Sequence, residues 1–295
     1  MLEEFSRHRG HPFDARHLLG NAVSNVICSV VFGKRYQYTD EEFKSFLKLL
    51  NQLVEMSGSG GLHFLFPIAR YLQPKMHETV KNMRVEQIEF VRKIVEEHRV
   101  VHDPEDPNDF IDYFLTEMMK KGGDDSKNSH LNEDTLLLTL VDLFGAGSET
   151  VATTLKWSLL YMLKYPEVQR RIQQEIDDVV GRNRLPRLSD KPKLSYTEST
   201  LLEIQRITSI SPLGTIHRAA EETTLEGYDI PKGTFLMSNL WAIHHDPQVW
   251  DEPFDFKPSR FLNEDGKVRH RAELIPFSVG MYPKEYSLFL GLQSL

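Results

Sequence analysis

The sequence predicts a mainly α-helical protein with small β-sheets. Apolar residues recur at helical spacing through most of the chain up to about residue 208. Cap and glycine stop signals bracket those stretches. Short threonine- and aromatic-bearing runs, separated by glycine and proline, appear only afterwards.

Asn21 to Phe32 is an apolar run that Gly33 and Lys34 end. Thr39–Glu42 reads as a helix start, and Phe43, Phe46, Leu47, Leu50 and Val54 follow on one face. Gly58 to Gly61 is expected to break that helix. A second amphipathic helix is expected from Pro74 to His102, a loop from Asp103 to Pro107, and a short helix from Phe110 to Met119. Gly122 to His130 reads as a polar linker. Asn132 is a good N-cap for a helix reaching Lys164, roughly 50 Å long at a 1.5 Å rise per residue. Pro166 opens the next helix and Gly181 closes it. A further helix spans Ser195 to Thr208. Thr223–Leu225 and Thr234–Leu236 read as strands around a turn region at Gly227, Pro231 and Gly233. No linker divides the chain into separate domains.

The chain has 295 residues, 40% hydrophobic and 26% charged, which fits a globular protein. A net charge of -8 argues against wrapping nucleic acid. With Cys28 alone, neither an intrachain disulfide nor a multi-cysteine zinc site can form. The first residues are too charged for a signal peptide. The apolar stretch Leu136–Met162 carries Asp142, Glu149 and Lys156, so a membrane span is not expected there. His98 and His102, one turn apart, lack an apparent third metal ligand.

Two features stand out chemically. Phe144-Gly145-Ala146-Gly147-Ser148-Glu149-Thr150 places two glycines inside a helix, at roughly 1 kcal/mol each relative to alanine. Either a flat ligand lies against that backbone, with Glu149 and Thr150 delivering protons, or the glycines form a helix contact face. The second feature is Glu203-Ile204-Gln205-Arg206, an acid and a guanidinium at i,i+3. Glu-x-x-Arg occurs five times here, and solvent-facing pairs are the expectation for the other four. Position distinguishes this one, because Arg260 in Pro258-Ser259-Arg260-Phe261 can complete a Glu-Arg-Arg cluster.

In order and spacing, A-G-S-E-T (146–150), E-I-Q-R (203–206), P-S-R-F (258–261) and P-F-S-V-G (276–280) resemble the cytochrome P450 family. Pro12-Phe13-Asp14, the run 21–29, Val31-Phe32-Gly33, the run 227–233 and His245-Asp246-Pro247 are similar to its microsomal animal family-2 branch. The resemblance covers residues 10 to 280 and implies a partial cytochrome P450 domain over 1–280, with a divergent tail over 281–295. It implies a haem (iron-protoporphyrin IX) cofactor and insertion of one oxygen atom from O₂ into small apolar organic substrates such as fatty acids, steroids or xenobiotics. Electrons would come from an NADPH-dependent flavoprotein reductase. Full-length members would associate with the cytoplasmic face of the endoplasmic reticulum membrane.

Residue by residue, the resemblance implies that Glu149 and Thr150 belong to the catalytic proton relay. Ala146 and Gly147 would leave room for dioxygen, His217 would bond a haem propionate, and Phe277 and Gly280 would belong to the haem loop. Phe144, Leu213, Gly214 and Ile216 would line the substrate pocket. Glu203, Arg206 and Arg260 would form a structural triad.

The family's loop reads Phe-x-x-Gly-x-Arg-x-Cys-x-Gly. Here Tyr282 replaces the arginine, Lys284 the cysteine and Tyr286 the glycine, and Val151 stands where a second hydroxyl is common. The thiolate holds the iron and favours O–O cleavage, whereas a lysine is cationic at neutral pH. Two expectations follow: a haem-dependent monooxygenase by family, or a catalytically inactive fragment. The change after Gly280 is expected to mark a truncated, alternatively spliced or mispredicted product, with the fold truncated at both ends.

Overall fold

The computed structural model describes residues 2–65, 73–120 and 130–278, without the side chains of residue 2 and residues 57–65. They form two compact units, Met1–Ala152 and Thr153–Leu295. The division falls within one long helix and not at a linker.

The first unit begins with α1 (Leu2–Arg7) and α2 (Arg16–Val31). Gly33 follows α2 at φ +61°, and a Cβ there would stand 2.3 Å from Asp109 Oδ2, so only glycine fits the stop. The Asn25 side chain then clamps the loop. Its Nδ2 donates to Tyr36 O at 3.1 Å, and its Oδ1 accepts from Tyr36 N at 2.7 Å.

Helix α3 (Glu41–Leu65) starts where the sequence places it, with Asp40 Oδ1 accepting from Phe43 N at 2.9 Å. Gly58 to Gly61 does not end it, and the helix continues to Leu65. Glycine lowers helix propensity by about 1 kcal/mol per residue without forbidding helical dihedrals. Phe43, Phe46 and Leu50 are buried, whereas Val54 is 47% exposed.

Helices α4 (Pro74–Val101) and α5 (Phe110–Lys120) match expectation, and the linker at Gly122 lies outside the described residues. Helix α6 (Glu133–Lys164) is capped by Asn132 Oδ1, which accepts from Thr135 N at 2.8 Å. Leu136, Leu137, Leu140, Val141 and Phe144 of α6 are buried. Phe144 joins an aromatic cluster, with ring centroids 5.8 Å from Phe32, 6.4 Å from Phe43 and 4.9 Å from Phe46. By length and apolarity α6 could cross a membrane, as a buried core helix also could.

The second unit holds α7 (Pro166–Val179) and α8 (Ser195–Thr208). Pro166 occupies the first turn of α7, where its missing N–H costs nothing. Gly181, at φ +77°, donates back to Asp177 O at 3.1 Å and closes the helix. The start of α8 is capped from α7, because Glu175 accepts from Tyr196 N at 2.7 Å and Thr197 N at 2.8 Å. Val168, Tyr196, Ile204 and Phe256 form the adjoining core, lined by Tyr161 and Tyr165.

The β part is two antiparallel ladders. β1 (His217–Arg218) pairs with β4 (Phe235–Leu236), and β2 (Thr223–Leu225) with β3 (Tyr228–Ile230). The two sequence-predicted strands therefore belong to different sheets. Two strands were missed: β3, which falls in the expected turn region, and β1, which precedes the predicted strands. Each is two or three residues long, too short to show alternation. Helix α9 (Leu240–His245) and 3₁₀ turns at Leu188–Lys193 and Pro258–Phe261 complete the described elements.

Candidate functional site

The sequence-predicted Glu-Arg-Arg cluster forms in the second unit. Helix α8 sets Glu203 and Arg206 one turn apart, both fully buried. Arg206 Nε donates to Glu203 Oε2 at 2.7 Å and Nη2 to Oε1 at 2.8 Å, a bidentate pair. Arg206 Nη1 donates to the carbonyls of His244 and Pro253, both at 2.8 Å, and Nη2 to Asp255 O at 3.3 Å. All five guanidinium N–H groups thus have acceptors. Glu203 Oε1 also accepts from Lys257 N at 2.9 Å and from Arg260 Nε at 3.3 Å. Arg260 reaches the carbonyls of Asp251 and Glu252 as well. Trp250, fully buried, lies 5.3 Å beneath the Arg206 guanidinium. The cluster pins α8 to residues 244–260 by charge-assisted bonds.

The other Glu-x-x-Arg pairs differ. Glu4–Arg7 and Glu96–Arg99 are largely solvent-facing, Arg92 pairs with Glu133, and Arg170 Nε donates to Pro166 O. Position along the chain was therefore the informative signal, not the spacing.

Sequence reasoning missed His244. Its Nδ1 lies 2.8 Å from Ser209 Oγ, whose hydroxyl donates to Arg206 O at 2.9 Å. Its Nε2 accepts from Ile275 N at 3.1 Å. These partners require the neutral ring with the proton on Nδ1. Burial, then the charges of His245 and Arg206, push its pKa down to about 4. The neutral ring thus ties α8 to the segment leading into Phe277.

A consequence follows for acid stability. Above pH about 6.5 both folded and unfolded chains hold this ring neutral, and its contribution is complete. As pH falls from there, the unfolded chain takes up the proton first, so stability is lost until about pH 4. Urea midpoints measured from pH 7 to pH 4 should fall more steeply for the unmodified chain than for His244→Gln, with a difference of up to about 3 kcal/mol.

In the first unit the glycine notch has an internal explanation. A Cβ on Gly147 would stand 2.7 Å from Ile27 Cδ1 of α2, and one on Gly145 would stand 3.8 Å from Leu50 Cδ2 of α3. Gly147 therefore makes a close helix contact with α2. Ala146 and Thr150 lie on the exposed face of α6, with Glu149 half-buried beside them. Thr150 Oγ1 donates to Ala146 O at 2.6 Å. Phe144 lies on the packed side of α6. Its ring is fully buried among Phe32, Phe43 and Phe46, in the core of the first unit. Gly147→Val should cost about 1–3 kcal/mol by overpacking. A double-mutant cycle with Ile27→Ala should recover most of that loss in denaturant unfolding.

The remaining predicted residues lie in the second unit. Leu213 and Ile216 are exposed, and Gly214, at φ +61°, packs beside Leu240. His217 is exposed next to Arg218 on β1. Phe277 is half-buried, while Gly280 and Lys284 lie outside the described residues.

For a haem group these residues fit in part. Ala146 and Thr150 offer a small side chain and a hydroxyl on an open helix face, and His217 with Arg218 offers donors for a carboxylate. The axial thiolate donor does not fit. Cys28 is fully buried in α2, and burial pushes its thiol up to about 12. Cys28 is the one cysteine of the sequence, and the family match ends at residue 281.

The family Cytochrome P450 matches residues 1–281. The chain is 40% identical over 283 residues to Cytochrome P450 2U1 of Bos taurus, covering 94% of this chain and 51% of that protein. It is 42% identical over 284 residues to Cytochrome P450 2J3 of Rattus norvegicus, covering 95% and 56%. Against Cytochrome P450 2J2 of Homo sapiens the identity is 39% over 282 residues, again 95% and 56%. The chain thus spans about half the length of the curated relatives it matches. With most of its length matched and the buried Glu203–Arg206–Arg260 cluster formed, the chain belongs to the cytochrome P450 family.

Proposed function

We propose that these residues serve a haem-dependent monooxygenase, which inserts one oxygen atom from O₂ into a small apolar organic substrate such as a fatty acid, steroid or xenobiotic. The observation that carries this reading is the buried Glu203–Arg206–Arg260 cluster, formed at the position along the chain that the family order requires. When bound, haem supplies the oxygen-activating chemistry. The axial donor is the part of that site for which this chain offers no matching residue, so the roles below belong to its own side chains.

Ala146 keeps the open face of α6 small at one turn from Thr150. Thr150 holds a hydroxyl on that face, which donates to Ala146 O at 2.6 Å and by rotating about Cβ–Oγ1 would donate to a bound group instead. Glu149, the preceding residue, is a carboxyl group that would take up a proton from water and pass it on. Leu213 and Ile216 present apolar surface for a substrate, and His217 presents a donor for a propionate. Glu203, Arg206 and Arg260 hold the α8 end in place and exchange no proton. Electrons come from an NADPH-dependent flavoprotein reductase, and the complete protein works at the cytoplasmic face of the endoplasmic reticulum membrane. The similarity to the family-2 members 2U1 and 2J supports both readings. Residues 1–280 are read as the partial cytochrome P450 domain and 281–295 as a divergent tail.

Turnover under isotopically labelled O₂ tests this. Unmodified and Lys284→Cys chains would be given haem, the reductase, NADPH and a fatty acid. The reading expects one labelled oxygen atom per product molecule, from the Lys284→Cys chain above all. Haem-loaded Lys284→Cys that consumes NADPH yet places no labelled oxygen in product contradicts it, and activates the inactive-fragment reading.

A further inference from the structure

His98 and His102 sit one turn apart near the end of α4, and sequence spacing supplies no third ligand. The structure supplies two. Asp109 precedes α5 and Asp112 lies in its first turn, and ligand atoms of His98, Asp109 and Asp112 all fall within 4.8 Å of one another. The three are shielded, with side-chain exposures of 13% for His98, 5% for Asp109 and 13% for Asp112.

The hydrogen bonding points to a cation. His98 Nδ1 stands 2.7 Å from Ile94 O, which can only accept, so Nδ1 carries a proton. In the neutral ring Nε2 is then a lone pair, and it stands 2.9 Å from Asp109 Oδ2, a second acceptor. Two acceptors at that separation need a positive charge between them. Metal-bound histidines show this arrangement, one ring N–H given to a backbone carbonyl and the other nitrogen turned to the ion. The carboxylates are held from behind in the same way. Asp109 Oδ1 accepts from Asp112 N at 3.0 Å, and Asp112 Oδ2 accepts from Asn108 N at 3.1 Å. Asp109 Oδ2 and Asp112 Oδ1 are left facing inward, the latter 3.2 Å from His102 Nδ1.

We propose that His98, Asp109 and Asp112 form a binding site for a divalent zinc-class cation, with water completing four-coordination and His102 steadying Asp112. One imidazole and two carboxylates, without thiolate, suit Zn²⁺ and its spectroscopic substitute Co²⁺. Bound there, the ion ties the end of α4 to the start of α5. None of these residues takes part in the haem reading, so the two proposals stand or fall separately.

The test is titration of the metal-stripped full chain with Co²⁺ alone. The expected result is one Co²⁺ per chain, with the d–d absorption of a four- or five-coordinate ion. Zn²⁺ at a hundredfold excess over its Kd should raise the folded-to-unfolded ratio about a hundredfold. His98→Gln and Asp109→Asn should each weaken Co²⁺ binding more than tenfold, whereas His11→Gln, at an exposed histidine, should leave it unchanged. X-ray absorption on the zinc-loaded unmodified chain needs no variant and should show nitrogen and oxygen donors at about 2.0–2.2 Å. Sulfur at about 2.3 Å, binding indifferent to both substitutions, or no Co²⁺ uptake by the folded chain would each overturn the proposal. The last result assigns the charge between His98 and Asp109 to a proton.

Discussion

Arg206→Ala should lower the unfolding free energy by about 3–5 kcal/mol. The substitution strands the carbonyls of His244 and Pro253, leaves Asp255 O with Arg260 alone, and leaves Glu203 as a fully buried carboxylate. Arg260 and the Lys257 N–H remain on Glu203, but Arg260 reaches only one oxygen, at 3.3 Å. Lysine at position 206 should not rescue, because a point charge cannot fill five directed acceptor positions. Removing both charges, as Glu203→Leu with Arg206→Met, should cost less than Arg206→Ala alone. Denaturant unfolding followed by Trp250 fluorescence reads all three variants. A loss below about 1 kcal/mol for Arg206→Ala would mean that the pair behaves like an exposed one.

Phe144→Ala should cost about 3–5 kcal/mol, because it empties the aromatic cluster of the first unit. Phe32, Phe43 and Phe46 all touch that ring, and none is exposed enough to collapse into the space without moving its helix. Chemical denaturation measures the loss, and Phe144→Leu should recover roughly half of it. If Phe144 instead lined a substrate pocket, truncation would change ligand affinity and leave the midpoint nearly unmoved.

Much of the architecture was legible because helix punctuation is local. Asn132, Pro166, Gly181 and the Ser195–Thr208 periodicity each fixed a boundary that the structure repeats. Gly58–Gly61 misled because glycine propensity is a modest energy that a long helix can absorb. The strands misled because two-residue ladders carry no period.

For the site, order along the chain located Glu203, Arg206 and Arg260 where spacing alone offered five equal candidates. The notch illustrates the opposite case. Helical periodicity places Gly147 and Ala146 on different faces, but only the position of Ile27 shows which face is packed. His244 and the partners of His98 were invisible for a related reason. Ser209 and Ile275 lie 35 and 31 residues from His244, and Asp109 lies 11 residues from His98 across a loop. Such contacts are made by tertiary packing and leave no short-range signature.

The proposed reading, a haem-dependent monooxygenase whose axial thiolate is missing from this chain, has a direct spectroscopic test. Unmodified and Lys284→Cys chains, loaded with haem, reduced and exposed to CO, should differ in a single respect. Lys284→Cys should give the Soret band of thiolate ligation, and the unmodified chain should not. Haem-loaded Lys284→Cys without that band, or the same band from the unmodified chain, would contradict the account.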